Sequence, residues 1–153
     1  MSEILIQAKN IKKYFPTSDR GKVVKAVDDI SFDIYKGETL GVVGESGCGK
    51  STTGRMVLKL LDCTEGTVLY KGKDIGKMKG KEMRSLRKEM QIIFQDPYAS
   101  LDPRKTVFQI LAEPFWIHHP EMSKEEIYRE VEKLIECVGL RPEHILRYPH
   151  EFS

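Results

Sequence analysis

The chain has 153 residues and a mass of 17.6 kDa, room for one domain or part of a larger one. A net charge of +2 with 31% charged residues gives no strong pull toward nucleic acid or membrane. No apolar run approaches the roughly 20 residues of a membrane-spanning helix, and the N-terminus lacks the basic start and apolar core of a signal peptide. Three widely spaced cysteines, Cys48, Cys63 and Cys137, form no C-x-x-C pair, which points to a reducing compartment.

In chain order, Ile4, Ile6 and Ala8 alternate with Leu5, Gln7 and Lys9, the period of a strand. Val23 and Val24, then residues 30–34, suggest further strands, set off from the first by a polar turn over 16–22. Residues 39–43 (TLGVV) read as a short buried strand. Residues 44–51 (GESGCGKS) fit G-x-x-x-x-G-K-[ST], the phosphate-binding P-loop. In that loop backbone N–H groups surround a polyphosphate, Lys50 adds an ammonium, and the Ser51 hydroxyl is aimed at magnesium. Gly44, Gly47 and Gly49 allow the backbone to come close to phosphate. A helix over 52–61 follows, with Met56, Val57, Leu60 and Leu61 on one face, and its start near Lys50 presents free N–H groups to an anion. Strand, loop and helix in this order are the context the motif requires. Cys48 reads as a position for a small side chain, with a reactive thiol beside Lys50 as the alternative.

Residues 67–70 form the next predicted strand. The basic stretch 76–89, helical over 81–88, reads as a solvated face. Residues 90–94 are a second buried strand candidate, ending at Gln95. Helical spacing then dominates. A helix is predicted over 106–118, with Pro114 kinking or ending it. Ser123 and Glu126 make a capping box ahead of an apolar stripe of Ile127, Val131, Leu134, Ile135 and Val138, with Gly139 as the stop. A short helix runs from Arg141 to about Arg147. A doubly wound P-loop sheet has more parallel strands than these two, so an incomplete domain is expected.

A second motif narrows the P-loop reading. Residues 91–104 (QIIFQDPYASLDPR) resemble the Q-loop of ABC transporter ATPases. Residues 96–104, the GESGCGKST of the P-loop, the opening IKKYFP and the closing RYPHEFS are similar to the subgroup serving oligopeptide, dipeptide and nickel importers. The resemblance covers essentially the whole chain. It implies an α/β fold: a P-loop NTPase (ABC ATPase) core, incomplete, with an N-terminal antiparallel β subdomain and a helical subdomain. Residues 1–153 would be the N-terminal part of one ABC ATPase domain. About 1–97 would hold the β subdomain and core through the Q-loop, and about 98–153 a truncated helical subdomain.

The same resemblance implies site roles for ATP and Mg²⁺. Gly44, Glu45, Ser46, Gly47, Cys48, Gly49, Lys50, Ser51 and Thr52 bind nucleotide, with Lys50 on the β- and γ-phosphates and Thr52 near the α-phosphate. Ser51 and Gln95 reach the metal, and Lys50 and Gln95 act in catalysis. Tyr14 or Phe15 stacks on adenine, with Phe15 preferred. The implied partners are transmembrane permease subunits, a second ATPase subunit in a homo- or heterodimer and, indirectly, a solute-binding protein, with no nucleic acid. A groove near the Q-loop would receive a permease helix, with Trp116, His118 and His119 candidates to face it. The implied location is cytoplasmic, peripheral on the inner face of the membrane. Phe152 and Ser153 match the first two positions of the family's signature motif, where the chain stops. The general base beyond it is therefore expected to be missing, and these 153 residues alone to have weak or no ATPase activity. Two alternatives stand beside this reading: a nucleotide- or permease-binding module without hydrolysis, and a soluble ABC ATPase without a transporter.

Overall fold

A computed structural model describes residues 3–19 and 21–152; the expectations that involve Arg20, in the predicted turn, and Ser153, in the signature motif, lie outside the described residues. The chain divides into two units, Met1–Ile92 and Ile93–Ser153, each with its own apolar core.

The first unit is built on an antiparallel sheet. β1 (Ile4–Pro16), β2 (Val23–Tyr35), β3 (Glu65–Tyr70) and β4 (Lys73–Asp74) lie in the order β2-β1-β3-β4. Ala8 is paired with Phe32 on one side and Val68 on the other. Strict alternation does not hold along β1, because Ala8 and Ile11, an odd number of residues apart, are both buried. A bulge between them resolves the conflict. There Asn10 and Asp29 take positive φ, the Asn10 side chain donates to Asp29 Oδ1 at 2.9 Å, and its backbone N–H donates to Ser31 Oγ at 2.8 Å.

Two helices close this core. α1 (Lys50–Val57) buries Thr53, Met56 and Val57. It stops earlier than the predicted Leu61 because Lys59 adopts φ 53°, so that Leu60 N–H donates to Arg55 O and Lys59 N–H to Met56 O. That is a Schellman termination with lysine where glycine is usual. Leu60 consequently leaves the apolar face and is exposed. α2 (Gly80–Glu89) buries Leu86. From it Arg87 donates to the carbonyls of Leu58 and Lys59, taking up acceptors that the end of α1 leaves open.

Two expected strands are absent among the described residues. Neither residues 39–43 nor residues 90–95 form a ladder, and Val43 and Ile93 are each 92% exposed. The reason is physical: a parallel core strand needs a neighbour to take its N–H and C=O groups. The four strands present pair only in antiparallel fashion among themselves.

The second unit is helical. α3 (Val107–His118) starts from a capping box of Thr106 and Gln109 and runs on through Pro114, so the proline does not end it. Pro114 is exposed, on the side away from buried Ala112. α4 (Lys124–Cys137) carries the predicted Ser123–Glu126 capping box. Gly139, at φ 77°, closes it through Leu140 N–H to Ile135 O at 2.9 Å. Of the predicted stripe, Ile127, Val131 and Ile135 are buried with Ala112 and Ile145, whereas Leu134 and Val138 are exposed. Spacing by four keeps the first three on one line of the helix. The expected helix after Arg141 is a 3-10 turn, Pro142–Leu146.

Candidate functional site

The loop at 44–49 leads into α1 with its glycines exposed or half-buried and Gly49 as N-cap at φ 95°. Glycine is required there. A Cβ on Gly49 would stand 2.2 Å from the Ala26 carbonyl oxygen of β2, and φ 95° already disfavours any L side chain. The loop is thus pressed onto the sheet by a contact only glycine permits. Cys48 N–H donates to Glu45 O at 3.3 Å, and Thr53 N–H and Oγ1 both donate to Gly49 O, at 2.8 and 3.1 Å. Those bonds hold the first turn of α1 in line with the loop.

The electrostatics suit an anion. The first turn of α1 has no acidic residue and its N-cap makes no side-chain bond, so the N–H groups and positive dipole end stay available. Lys50 Nζ folds back into the loop, donating to Gly44 O at 2.7 Å and Glu45 O at 2.6 Å, with Cys48 Sγ at 3.6 Å. The three N–H groups of the ammonium are thus directed at two carbonyls and the Cys48 sulfur, and a phosphate oxygen would take the place of one of these acceptors. Ser51 is exposed and Thr52 half-buried on the same turn.

The aromatic candidates separate clearly. Tyr14 is half-buried, and its hydroxyl is bonded to Asp28, holding the phenol pKa above its ordinary value. The Tyr14 hydroxyl, and then Lys25, hold the Asp28 carboxyl below the usual range. Phe15, next along β1 and so on the opposite face, is exposed, with Lys13 Nζ 5.3 Å from its ring centre. The strand carrying both is linked to the P-loop: Lys13 pairs with Val27 and Tyr14 with Lys25, flanking the Ala26 on which Gly49 rests. Sequence reasoning missed Ala26, Val27, Asp28 and Lys13. No local pattern marks them, since their roles arise from strand pairing and from a contact between residues distant in the chain.

Gln95 belongs to the second unit and is exposed. Its loop is held by local bonds. Asp96 Oδ1 accepts from Ala99 N–H at 3.0 Å, and Asp96 O accepts from Ser100 Oγ at 2.9 Å, folding the 3-10 turn Tyr98–Ser100. Arg104 donates to Asp102 through its guanidinium and its backbone N–H at 3.0 to 3.1 Å, drawing the Asp102 pKa down to about 2. A depressed carboxyl stabilises the loop fully above its unfolded pKa of about 3.9, and that contribution is lost as pH falls toward about 2. An NMR titration should place the Asp102 midpoint near 2 and return it toward the ordinary value in Arg104→Gln; an unchanged midpoint in that variant would refute the pairing.

No group of three or more His, Cys, Asp or Glu that could hold a metal ion occurs among the described residues. Ser51 and Gln95 are neutral oxygen donors. Each is the kind of single neutral ligand that magnesium accepts where phosphate oxygens and water complete its shell. No helix among the described residues is long and apolar enough to cross a membrane.

The profile of the family described as ABC transporter matches residues 27–153. The chain belongs to the ABC transporter family. Among curated members, it is 54% identical to the oligopeptide transport ATP-binding protein OppF of Bacillus subtilis, covering all of this chain and 50% of that protein. It is 46% identical to the OppF protein of Escherichia coli, over 99% of this chain and 47% of the relative. The chain thus spans about half the length of these curated ABC relatives. In solved structures it resembles the ATP-binding cassette MJ0796 in a dimeric post-hydrolysis state bound to ADP and Pi, with a TM-score of 0.78 at 23% identity over 97% of this chain and 63% of that one. A second dimeric structure of that cassette gives 0.77 at 24%, over the same shares of each chain. The fold class expected from the ABC resemblance, an incomplete α/β P-loop core with an antiparallel β subdomain and a helical subdomain, therefore holds. The ladders expected at 39–43 and 90–94 are the part that does not.

Proposed function

We propose that residues 1–153 are the N-terminal part of one ABC ATPase domain that binds ATP with Mg²⁺. In the intact protein the domain powers import of peptides or a related small solute. The observation that carries this reading is the P-loop: a glycine-capped helix start with no carboxylate in its first turn and Lys50 folded over the loop carbonyls. Similarity to the oligopeptide transport ATP-binding proteins supports the peptide class.

Residues 44–52 take the phosphates, Ser51 and Gln95 the metal, and Lys50 stabilises charge on the γ-phosphate. Phe15 rather than Tyr14 stacks on adenine, because the Tyr14 hydroxyl is committed to Asp28 and Phe15 presents its ring outward. The partners are permease subunits, a second ATPase subunit and, through the permease, a solute-binding protein, at the inner face of the membrane. An apolar groove within the second unit, lined by Pro97, Tyr98, Leu101, Ile110, Leu140 and Phe152, supports docking of a permease helix. Exposed Trp116 supports the same.

A fluorescent ATP analogue tests the site. Lys50→Ala should bind roughly a hundredfold more weakly than the wild type, the loss of about two charge-assisted hydrogen bonds. Equal binding by both would remove the P-loop from the reading. Phe15→Ala should lose about tenfold toward ATP and nothing toward inorganic triphosphate, whereas Tyr14→Ala keeps the affinity if it remains folded. The reverse pattern would assign the stacking to Tyr14. A second reading, a module that binds nucleotide without hydrolysis, is favoured by the donor set itself: Lys50, Ser51 and Gln95 include no carboxylate to act as general base. Phosphate release by the purified 153-residue chain would exclude it.

A further inference from the structure

Residues 71–89 hold eight Lys or Arg against three Asp or Glu, a local excess of five in a chain whose net charge is +2. The structure sorts these charges. On α2, Lys81, Arg84 and Lys88 fall at i, i+3 and i+7, one exposed stripe opposite buried Leu86 and half-buried Met83. Lys73, Lys77 and Lys79 precede them and are exposed too. Two of the three carboxylates are engaged. Glu89 accepts from the Tyr70 hydroxyl at 2.9 Å and from Lys71 Nζ at 2.5 Å. Asp74 Oδ1 accepts from Gly76 N–H at 2.9 Å, and its Oδ2 pairs with Lys77 at 3.4 Å. Glu82 is exposed beside Lys81.

We propose that this lysine-rich face of the first unit, centred on Lys81, Arg84 and Lys88, docks electrostatically on an anionic phospholipid surface. The chemistry favours lipid headgroups over nucleic acid. Apart from Arg84, the exposed cations of this face are lysines, compact charges suited to a diffuse anionic plane rather than to bidentate readout of bases. The segment offers no aromatic ring for base stacking: residues 71–89 contain none, and the neighbouring Tyr70 is buried with its hydroxyl on Glu89. Membership of a family of transporters puts such a surface within reach. The inference stands whether or not the P-loop binds nucleotide.

Co-sedimentation of the full chain with vesicles tests it. Binding is expected to vesicles containing phosphatidylglycerol, not to phosphatidylcholine alone, and is expected to vanish at high salt. K81Q/R84Q/K88Q should lower the partition on the order of a hundredfold, and K77Q/K79Q on the order of tenfold. K36Q/K124Q/K133Q, with the same change in net charge at exposed sites elsewhere, should bind like the wild type. Circular dichroism verifies that each variant is folded, and the two sets in the face serve as independent readouts. Equal loss in the control variant, binding to neutral vesicles, or no binding to anionic ones would overturn the proposal. A DNA or RNA duplex held more tightly than the vesicles through the same three residues would overturn it as well, assigning the face to nucleic acid.

Discussion

Gly49→Ala is expected to abolish binding of an ATP analogue and to lower the stability of the first unit by about 3 kcal/mol. Two effects combine. The residue sits at φ 95°, which an alanine tolerates poorly, and its Cβ would meet the Ala26 carbonyl oxygen at 2.2 Å. That neighbour is backbone in a paired strand, so no side-chain rotation relieves the overlap. Either β2 or the start of α1 must move. If α1 moves, the N–H groups of its first turn and Lys50 leave the positions proposed to hold phosphate. Urea unfolding with a parallel nucleotide titration measures both. Wild-type stability and affinity in this variant would show that the loop does not rest on β2. Lys50→Ala provides the contrast, since it should weaken binding with little change in stability.

Gly66→Ala should cost still more stability, about 4 kcal/mol, and Gly37→Ala only about 1 kcal/mol. Both glycines have positive φ, 85° and 79°. The Cβ of Gly37 would meet open space, so that variant reports the conformational penalty alone. At Gly66 it would lie 2.3 Å from Asn10 O and 2.6 Å from both Asn10 C and Ile11 Cα. Those atoms belong to the bulge that turns Ile11 inward. The clash therefore falls on the irregularity that makes the β1 core consistent. Chemical denaturation of the two variants side by side separates sterics from backbone strain. Equal losses would mean the bulge yields freely.

Much of the candidate site was legible in the residues. The P-loop pattern names Gly44, Gly49, Lys50 and Ser51 because phosphate binding by backbone requires glycine, a cation and a hydroxyl at fixed spacing. The Ser123 capping box and the Gly139 stop were legible for the same reason: each is local chemistry, complete within a few residues. What failed was non-local. Residues 39–43 and 90–94 have the composition of buried strands, yet composition cannot supply the neighbour that makes a ladder. The alternation read over residues 4–9 does not continue along β1, because a bulge at Asn10, bonded to Asp29, brings Ile11 inward.

The choice between Tyr14 and Phe15 shows where the boundary runs. The residues alone give only a preference between these adjacent aromatics, and the structure adds that the Tyr14 hydroxyl is tied to Asp28 from β2 whereas Phe15 is exposed. Likewise the basic run at 71–89 is a count of charges until α2 sets Lys81, Arg84 and Lys88 on one side and the sheet core takes the other. The order of residues alone was enough for the helix caps, the family and the candidate phosphate loop, because each is written in a short stretch of chain. Folding was needed to settle which side chains face solvent, which are tied, and why Gly49 and Gly66 admit no substitute. Those outcomes depend on strands brought together from distant parts of the chain, and the energy of such contacts is set by the partner as much as by the residue.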